Sequence, residues 1–233
     1  MKKRCIIVPA YNEEKNIVAV ISDIRKYSAD NIVIIDDGST DSTVEVARRA
    51  GALIIRHPFN LGYGVALQTG YKYALKHHYD VLVQMDGDGQ HSAKFIPELF
   101  REVESSDCDV AIGSRFLADS QYRAGFLKSA GIKLFRHMIW WITGEKITDP
   151  TSGYQCLNRK VFEFFADDQF PYDYPDANVI IMLHRAGFKI KEIPAEMMPN
   201  PEERSMHRGI FTISYYFFKM FLSIFITLIR KKQ

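Results

Sequence analysis

The sequence predicts an α/β fold built on a mostly parallel, doubly wound sheet with helices on both faces. Short apolar runs of strand length alternate with stretches in which apolar residues recur at helical spacing. No internal repeat, low-complexity tract or Pro/Gly/Ser-rich linker interrupts this alternation before about residue 120. Strands that alternate with helices in this way form βαβ units, which give parallel strands joined by right-handed crossovers.

Each predicted strand of the first half is a short apolar run that ends at polar or turn-forming residues. The intervening helices carry apolar residues at steps of three and four, as at Ile17, Val20, Ile21 and Ile24. The predicted strands span residues 5–8, 31–35, 52–55, 80–85 and 110–112. The predicted helices span residues 17–27, 44–50 and 95–103, and another is introduced by residues 60–64 and ends at about residue 76.

After about residue 120 the pattern changes, and we expect this half to cover the ligand edge of the sheet. An aromatic helix is predicted over residues 126–142, followed by a loop over residues 148–154 that Pro150 and Gly153 hold in shape. Helices are predicted over residues 161–165 and 178–186, a strand over 189–193 and an irregular polar segment over 197–208. With 233 residues, of which 47% are hydrophobic, the chain is expected to form one domain over residues 1–208 and an appended helix over residues 209–233.

Composition narrows the possible functions. A net charge of +2 argues against a general attraction to nucleic acid, so no nucleic-acid partner is expected. The three cysteines are far apart and lack CxxC spacing, so they are interpreted as core residues in a reducing compartment. The basic residues 2–4 precede only a short apolar run, which is interpreted as a strand and not as a signal peptide.

Residues 85–91 organise the functional interpretation, because Asp86 and Asp88 come directly after the fourth predicted strand. In an open α/β sheet the ligand crevice lies outside the carboxyl ends of the strands. Mg²⁺ usually binds through one or two carboxylates together with substrate phosphates, so the pair predicts a metal-held diphosphate. An EF-hand is excluded, since its sixth and twelfth positions would be His91 and Pro97 instead of Gly and Glu. A solvated turn without a ligand is the remaining alternative.

Polar groups also follow the first and second predicted strands, at residues 9–14 and 36–39. Because parallel strands end at one edge, these carboxylates should converge there and need a cation or ligand donors to offset their repulsion. Together with the Tyr11 ring they suit the base and ribose of a nucleotide diphosphate. A dinucleotide-binding GxGxxG is rejected, since residues 62–67 lack the third glycine and lie between the third and fourth strands. Candidate cations for the phosphates are Arg115, Arg123, Arg204, His207 and Arg208, each with a surface charge as the alternative.

A family resemblance rests on five stretches of the chain. They are VPAYNE (8–13), IDDGSTD (35–41), NLG with the glycine at 70 (60–70), MDGDGQH (85–91) and GSRF (113–116). In this order they resemble the family 2 glycosyltransferases, which have the Rossmann-like GT-A fold. The nearest subgroup is the dolichyl-phosphate mannose synthase-like enzymes, which move a sugar from a nucleotide sugar to a polyprenyl phosphate. The resemblance spans residues 4–208 and implies a nucleotide-sugar half over 1–120 and an acceptor half over 121–208.

The resemblance also implies roles for individual residues. Asp86 and Asp88, with Gly87 between them and Gln90 nearby, would hold Mg²⁺ or Mn²⁺ and the diphosphate, and Arg115 would face the phosphates. Asp88 is expected to ligate the metal directly, which makes it a catalytic candidate, and Asp86 to contact the ribose and support the metal. The residues that would hold the nucleoside of a UDP- or GDP-sugar are Pro9, Tyr11, Glu13 and Asp37.

Two later stretches resemble the family more loosely. Residues 148–153 resemble a loop near the acceptor, and residues 203–207 resemble a mobile phosphate-binding segment. In that segment Arg204 and His207 would contact phosphate, and Arg204 occupies a position where the family usually has Gly.

The implied reaction is an inverting displacement at the anomeric carbon, with the metal acting as a Lewis acid on the leaving diphosphate. A hydroxyl acceptor would need a base, for which Asp176 is the first candidate and Asp149 the second. A phosphate acceptor is already largely ionised near neutral pH and needs no strong base. The alternative for Asp176 is a helix N-cap. Three functions follow: transfer to a polyprenyl phosphate; transfer to a hydroxyl of a cell-surface polysaccharide or glycolipid; or nucleotide-sugar binding by a non-catalytic scaffold.

The segment 210–229 is almost entirely apolar and predicts a long helix with one narrow polar stripe. Its 20 residues would reach about 30 Å, enough to span a bilayer, but a span would export the basic residues 230–232 against the positive-inside tendency. We therefore expect a helix in the membrane interface, peripheral or tail-anchored at the cytoplasmic face, with Trp140 and Trp141 beside it. A buried helix or the seam of a homo-oligomer is the alternative. The polar stripe consists of Thr212, Tyr216, Lys219, Ser223, Thr227 and Arg230.

Overall fold

The computed structural model describes residues 2–117, 126–168, 170–198 and 210–230. The strands are β1 (Arg4–Ala10), β2 (Asn31–Asp36), β3 (Leu53–Arg56), β4 (Val81–Gln84), β5 (Val110–Ser114), β6 (Gln155–Asn158) and β7 (Ile190–Pro194). The helices are α1 (Ile17–Tyr27), α2 (Thr43–Arg49), α3 (Tyr63–Lys76), α4 (Ile96–Glu104), α5 (Phe126–Thr143), α6 (Arg159–Phe165), α7 (Ala177–Arg185) and α8 (Ile210–Ile229).

Within the described residues the strands form one sheet in the order β3-β2-β1-β4-β6-β5-β7. The β1–β2, β1–β4, β2–β3 and β5–β7 pairs are all parallel, which confirms the predicted mostly parallel sheet. The predicted strands and helices occur with their bounds shifted by a few residues at most.

One strand was not predicted. β6 runs antiparallel between β4 and β5, in a stretch that the sequence interpretation left without regular structure. Its four residues contain only Cys156 and Leu157 as apolar side chains, with Gln155 and Asn158 at the ends, so no continuous apolar run marks it.

The core lies on both faces of the sheet, which explains why the strands are apolar at consecutive positions. Successive strand residues point to opposite faces: in β1, Cys5 and Ile7 pack with α3, α6 and α7, whereas Ile6 and Val8 pack with α1 and α4. All three cysteines are free and buried, in agreement with their interpretation as core residues.

The C-terminal helix α8 packs against α7 and contributes to the core on the α3 side of the sheet. Its buried residues Tyr216, Met220, Ile224 and Thr227 lie along one helical face. Among the parts of the chain that the structure describes, no helix is both long enough and apolar enough to cross a membrane.

Candidate active site

All described strands except β6 have their carboxyl ends at one edge of the sheet, here called the carboxyl edge. β1 lies between β2 and β4 and is parallel to both. β5 ends at the same edge because β4 and β5 are both antiparallel to the strand between them, β6. The reversed direction of β6 also brings the loop before it, residues 149–154, to this edge. The sequence-predicted carboxylates at 37, 86 and 88 and the candidate at 149 therefore share one side of the molecule.

Asp86 is held by two side chains from different parts of the fold. The Tyr63 hydroxyl, at the start of α3, donates a hydrogen bond to Oδ1 at 2.7 Å, and Nε2 of His91 lies 3.1 Å from Oδ2. His91 is itself buried and its ring packs on that of Tyr154. Burial raises the pKa of Asp86. Its pKa is nevertheless below the ordinary value, because the ionised form is favoured by the hydrogen bond and charge of His91, the hydrogen bond from Tyr63 and the charge of Arg115.

Asp88 is shaped by its neighbour Gln90. The backbone amide of Gln90 donates to Oδ1 of Asp88 at 3.0 Å, and Nε2 of the Gln90 side chain donates to Oδ2 at 2.8 Å. Gly89, with φ of +79°, supplies the left-handed conformation that this tight turn needs. Gly87 makes the loop compact, because a Cβ there would lie 3.1 Å from the Pro9 carbonyl oxygen.

These residues fit a divalent metal that completes its coordination with the substrate. Each oxygen of Asp86 accepts one hydrogen bond, and a carboxylate oxygen has a second lone pair to offer. No group of three or more His, Cys, Asp or Glu residues in the described segments could hold a metal by itself. Asp86, Asp88 and Gln90 provide oxygens, the ligand type that Mg²⁺ and Mn²⁺ prefer, and a bound diphosphate would supply the rest.

The loop after β1 is tied to the loop after β2. The Asn12 amide donates to Ser39 Oγ at 2.9 Å, and the Glu13 amide donates to Thr43 Oγ1 at 2.8 Å. The Glu13 carboxylate accepts a hydrogen bond from the Asn16 side chain at 2.8 Å. Tyr11 projects from this loop with 46% of its surface exposed, as a residue that stacks on a base would. The nucleoside-binding roles of Pro9, Tyr11 and Glu13 stay predictions.

Asp37 has a structural task that the sequence did not indicate. It is only 4% exposed, and its carboxylate accepts hydrogen bonds from the amides of Leu61 and Gly62 at 2.9 and 2.8 Å. His57 Nδ1 lies 2.7 Å from the same carboxylate. Asp37 thus fixes the loop that leads into α3. The predicted contact with the nucleoside remains untested. His57 could have been suspected, since it directly follows β3 at the carboxyl edge.

Arg115 and Asp149 form a buried, two-pronged ion pair. Arg115 is 5% and Asp149 1% exposed, and Arg115 donates to the Asp149 carboxylate through its backbone amide, Nε and Nη2. Arg115 also donates to Thr151 Oγ1 at 2.7 Å. Because Arg115 occupies both oxygens of Asp149, this carboxylate is poorly placed to serve as a base, and Asp176 is the stronger of the two candidates. The contact of Arg115 with donor phosphates stays a prediction.

Arg136 on α5 is a candidate site residue that the sequence interpretation did not include. Its guanidinium stacks on the Phe116 ring at 4.2 Å, and its Nε and Nη2 are buried without a hydrogen-bond partner among the described residues. Burial lowers the pKa of Arg136, as does the charge of Arg115, whereas Asp149 and Glu192 act in the opposite direction. The sequence offered no distinct signal, because Arg136 shares α5 with Lys133 and His137. A buried, unsatisfied guanidinium is a ready partner for an anion.

Asp176 occupies the N-cap position of α7, but its side chain does not cap the helix. Instead Oδ2 accepts a hydrogen bond from the Tyr216 hydroxyl of α8 at 2.8 Å. Burial raises the pKa of Asp176 to about 6; Tyr216 and Arg115 lower it, and the charges of Asp86 and Asp149 raise it. The capping alternative for the side chain is therefore wrong, and Asp176 lies within the electrostatic reach of the carboxyl edge.

The segment before Asp176 contacts the start of α3 directly through its backbone, at Pro171 and Tyr172. The amide of Gly64 donates to the Tyr172 carbonyl oxygen at 3.0 Å, and a Cβ at this position would collide with the Pro171 carbonyl oxygen. The candidates Arg204 and His207, together with Arg123 and Arg208, lie outside the described residues.

Comparison with known proteins identifies the family of the chain. The sequence model described as Glycosyl transferase family 2 matches residues 5–166. An uncharacterised protein of Methanocaldococcus jannaschii is 32% identical over 209 residues, which cover 88% of this chain and 84% of the relative. The UDP-N-acetylglucosamine–dolichyl-phosphate N-acetylglucosaminyltransferase of Methanococcus voltae is 26% identical over 88% of both chains. The polyprenol monophosphomannose synthase of Mycolicibacterium smegmatis is 28% identical over 83% of this chain and 76% of the relative.

Solved structures share the fold. Glucosyl-3-phosphoglycerate synthase from Mycobacterium tuberculosis in complex with UDP superposes with a TM-score of 0.73, covering 97% of this chain and 80% of that chain at 19% identity. The same enzyme with Mn²⁺ and UDP-glucose gives a TM-score of 0.70, with 97% and 79% coverage and 18% identity. At this level of identity the likeness shows the GT-A architecture, which the sequence predicted.

Proposed function

Because this chain belongs to glycosyl transferase family 2, we propose that it moves a sugar from a nucleotide diphosphate sugar to a polyprenyl phosphate at a membrane surface. The observation that carries the proposal is the position of α8. One side of this helix hydrogen-bonds Asp176 at the carboxyl edge, and the other side exposes apolar residues. An apolar surface next to the acceptor side of the site is what a lipid-borne acceptor requires.

The donor side of the proposal rests on Asp86 and Asp88. Tyr63 and His91 fix the orientation of the Asp86 carboxylate, and Gln90 fixes that of Asp88. With Gln90 they would hold Mg²⁺ or Mn²⁺ bound to the diphosphate of a UDP- or GDP-sugar. When bound, the ion supplies Lewis-acid stabilisation of the leaving diphosphate. The names and complexes of the relatives and neighbours support a UDP-sugar and Mn²⁺, and these assignments remain part of the proposal.

The acceptor side rests on two surfaces. Arg136 offers a guanidinium with two buried, unsatisfied nitrogens close to the charge of Arg115, and an acceptor phosphate would satisfy them. The exposed side chains of α8 form an apolar and aromatic surface of the kind that lies in a membrane interface, and Trp140 and Trp141 are exposed on α5. The exposed residues of α8 on this surface are Tyr215, Phe218, Phe221, Leu222, Phe225, Ile226, Leu228 and Ile229.

The proposed reaction is a single displacement at the anomeric carbon. An ionised phosphate oxygen of the acceptor attacks the anomeric carbon from the side opposite the diphosphate, so the new bond forms with inversion as the bond to the diphosphate breaks. The acceptor oxygen is already ionised near neutral pH, so no residue has to remove a proton from it. Arg136 would orient the acceptor, and the Arg115–Asp149 pair would hold the loop after β5 in place.

A hydroxyl acceptor is the second candidate, and one observation favours it. Asp176 lies near the carboxyl edge with its pKa raised to about 6, and a carboxylate with such a pKa is a competent general base near neutral pH. In this alternative Asp176 removes the proton of an attacking hydroxyl.

The test uses the full chain, a panel of UDP- and GDP-sugars, Mn²⁺ or Mg²⁺, and undecaprenyl or dolichyl phosphate in phospholipid vesicles. We expect a lipid-linked sugar from at least one donor, its loss on addition of EDTA, and a severe loss in Asp88→Asn. The matched control is Asp168→Asn, because the Asp168 side chain is 93% exposed and its charged neighbour is Lys72, at 3.9 Å. Nucleotide-sugar binding without a product from any donor would instead identify a non-catalytic scaffold.

A further inference from the structure

Three residues of the polar stripe of α8 bond to the protein beneath the helix. Tyr216 donates to Asp176 at 2.8 Å, Lys219 donates to Asp173 at 2.7 Å, and Ser223 accepts from Asn178 at 2.6 Å. These three α8 residues, here called the polar row, all meet the segment 173–178, which leads into α7. The helix is therefore fastened to the acceptor side of the site by directional bonds as well as by packing.

The opposite side of α8 is apolar as well, although Met220 and Ile224 already pack into the core. A helix on a protein surface normally turns its apolar face to the core and its polar face to water. In α8, Phe218 is 64% and Phe225 59% exposed, whereas Tyr216 is 9% exposed. This arrangement suits a helix with protein on one side and an apolar medium on the other.

We propose that Tyr216 is a positioning residue for Asp176, and that through this bond the contact of α8 with a lipid surface sets the geometry of the acceptor side of the active site. This inference rests on the proposed function and deepens it, because it names what would regulate the same site: a phospholipid surface that contacts α8.

Asp176 depends on Tyr216 because its own helix does not hold its side chain. The Asp176 amide donates to Asn178 Oδ1 at 2.9 Å, which fixes the backbone, but the carboxylate makes no capping bond to α7. Tyr216 is rigid by comparison. Its ring meets those of Tyr174 and Phe135 edge-to-face, with centroids 5.0 and 6.0 Å away. A shift of α8 is therefore transmitted to the Asp176 carboxylate, not absorbed by a flexible side chain.

The charged and titratable groups around Asp176 come from several elements. Tyr216 lies on α8 and Tyr63 on α3. Arg115 directly follows β5, Asp86 lies in the loop after β4, and Asp149 lies in the loop before β6. The Tyr216 hydrogen bond favours the ionised carboxylate. Removing the Tyr216 hydroxyl therefore raises the pKa of Asp176. A substitution elsewhere on α8 leaves the hydrogen bond from Tyr216 to Asp176 in place.

The first experiment compares the titration of Asp176 in the full-length wild type and in Tyr216→Phe by carboxyl-carbon NMR, with Asp176→Asn to assign the signal. We expect the midpoint to rise by about half a pH unit or more in Tyr216→Phe, since a hydrogen bond to the charged form lowers a pKa. The control is Ser223→Ala, which removes a polar-row contact to Asn178 two helical turns along the same face and makes no bond to the Asp176 carboxylate. Its Asp176 titration should match the wild type. An unchanged midpoint in Tyr216→Phe would overturn the positioning role.

The second experiment measures lipid activation. Transfer to a short, water-soluble polyprenyl phosphate is assayed with and without vesicles of phosphatidylcholine and phosphatidylglycerol. We expect vesicles to raise kcat several-fold in the wild type and in Ser223→Ala, and to have less effect in Tyr216→Phe. Equal stimulation of all three proteins would refute the coupling. If the wild type forms no product from any donor, the proposed function fails, while the NMR titration still decides the positioning role of Tyr216.

Discussion

Arg115 and Asp149 are joined by a buried bidentate ion pair although 34 residues separate them. The pair links the end of β5 to the loop before β6, at the point where two neighbouring strands run in opposite directions. Removing one partner of such a buried pair destabilises the fold strongly, because the other charge is then buried without a counter-ion. It thus connects the stability of the fold to the shape of the carboxyl edge.

Asp149→Ala should lower the free energy of unfolding by roughly 3–5 kcal/mol, because it leaves the Arg115 guanidinium buried without its counter-ion. Urea denaturation of both proteins measures the difference. The matched control is Glu45→Ala, which breaks the exposed Glu45–Arg49 pair and should cost no more than about 1 kcal/mol. Equal losses in the two variants would contradict the structural role of the Arg115–Asp149 pair.

Tyr63→Phe should destabilise the protein at neutral pH by about 1.5–3 kcal/mol, the range for a hydrogen bond to a charged group. The sign of its pH dependence follows from Asp86. The folded-state pKa of Asp86 is lowered, so its ionised form contributes stability above the unfolded-state pKa, and this stability is lost as the pH falls through the folded-state value. The difference between wild type and variant should therefore shrink on acidification below about pH 4.

Thermal unfolding between pH 3 and pH 7, values chosen to bracket the carboxylate range, measures this dependence. Tyr71→Phe is the control, since Tyr71 is also a buried tyrosine of α3 but donates to Gln84 instead of a carboxylate. A loss of stability in Tyr63→Phe that stays constant with pH would show that Asp86 is not the group concerned.

Asp176→Asn separates the two acceptor classes. With a polyprenyl phosphate acceptor, kcat should fall only a few-fold, since the variant changes the local charge but removes no required base. With a hydroxyl acceptor, kcat should fall by about 10²–10⁴, the usual contribution of a general base. Steady-state assays with each acceptor make the comparison, and a large loss with the phosphate acceptor would count against the mechanism proposed above.

Phe218→Glu and Phe225→Glu should weaken binding to phospholipid vesicles by tenfold or more each, since burying a Phe side chain is worth about 1.5–3 kcal/mol and about 1.4 kcal/mol is tenfold. Both side chains are largely exposed, so the fold should not change. Co-sedimentation with vesicles measures the binding. The control is Tyr27→Glu, at a half-exposed position on α1, which packs on the other face of the sheet.

The same surface could instead be covered by a second copy of the chain. Analytical ultracentrifugation of the wild type and the two Phe variants distinguishes these occupants. A dimer that dissociates on substitution, together with unchanged vesicle binding, would assign the apolar side of α8 to self-association.

The sequence predicted the elements whose signals are local. Continuous apolar runs such as Cys5–Val8 mark strands that are buried on both faces, and the position of Asp86 and Asp88 after such a run places them at the carboxyl edge. β6 was not predicted because its two adjacent apolar residues, Cys156 and Leu157, are too few to form a recognisable apolar run. Long-range partners escaped for a different reason. Nothing near Asp149 in the sequence shows that its oxygens are occupied by Arg115, and nothing near Asp37 points to the amides of Leu61 and Gly62.

For α8 the sequence shows the spacing at which polar residues recur but not which way that side of the helix faces. The recurrence of Tyr216, Lys219 and Ser223 predicts one polar stripe, but a stripe is equally compatible with facing water or facing protein. Its inward direction depends on partners at Asp173, Asp176 and Asn178, which are about 40 residues earlier in the chain. Those partners can be identified only once the tertiary packing is known.

The backbone contact between Gly64 and Tyr172 also has a consequence for the order of events during synthesis. The amide of Gly64 anchors the start of α3, and the neighbouring Tyr63 orients Asp86. A nascent chain that has released the first 120 residues from the ribosome contains both acidic motifs, yet it lacks the segment that closes over α3. The start of α3, and with it the orientation of Asp86, is therefore expected to reach its final form only after Tyr172 has emerged from the ribosome.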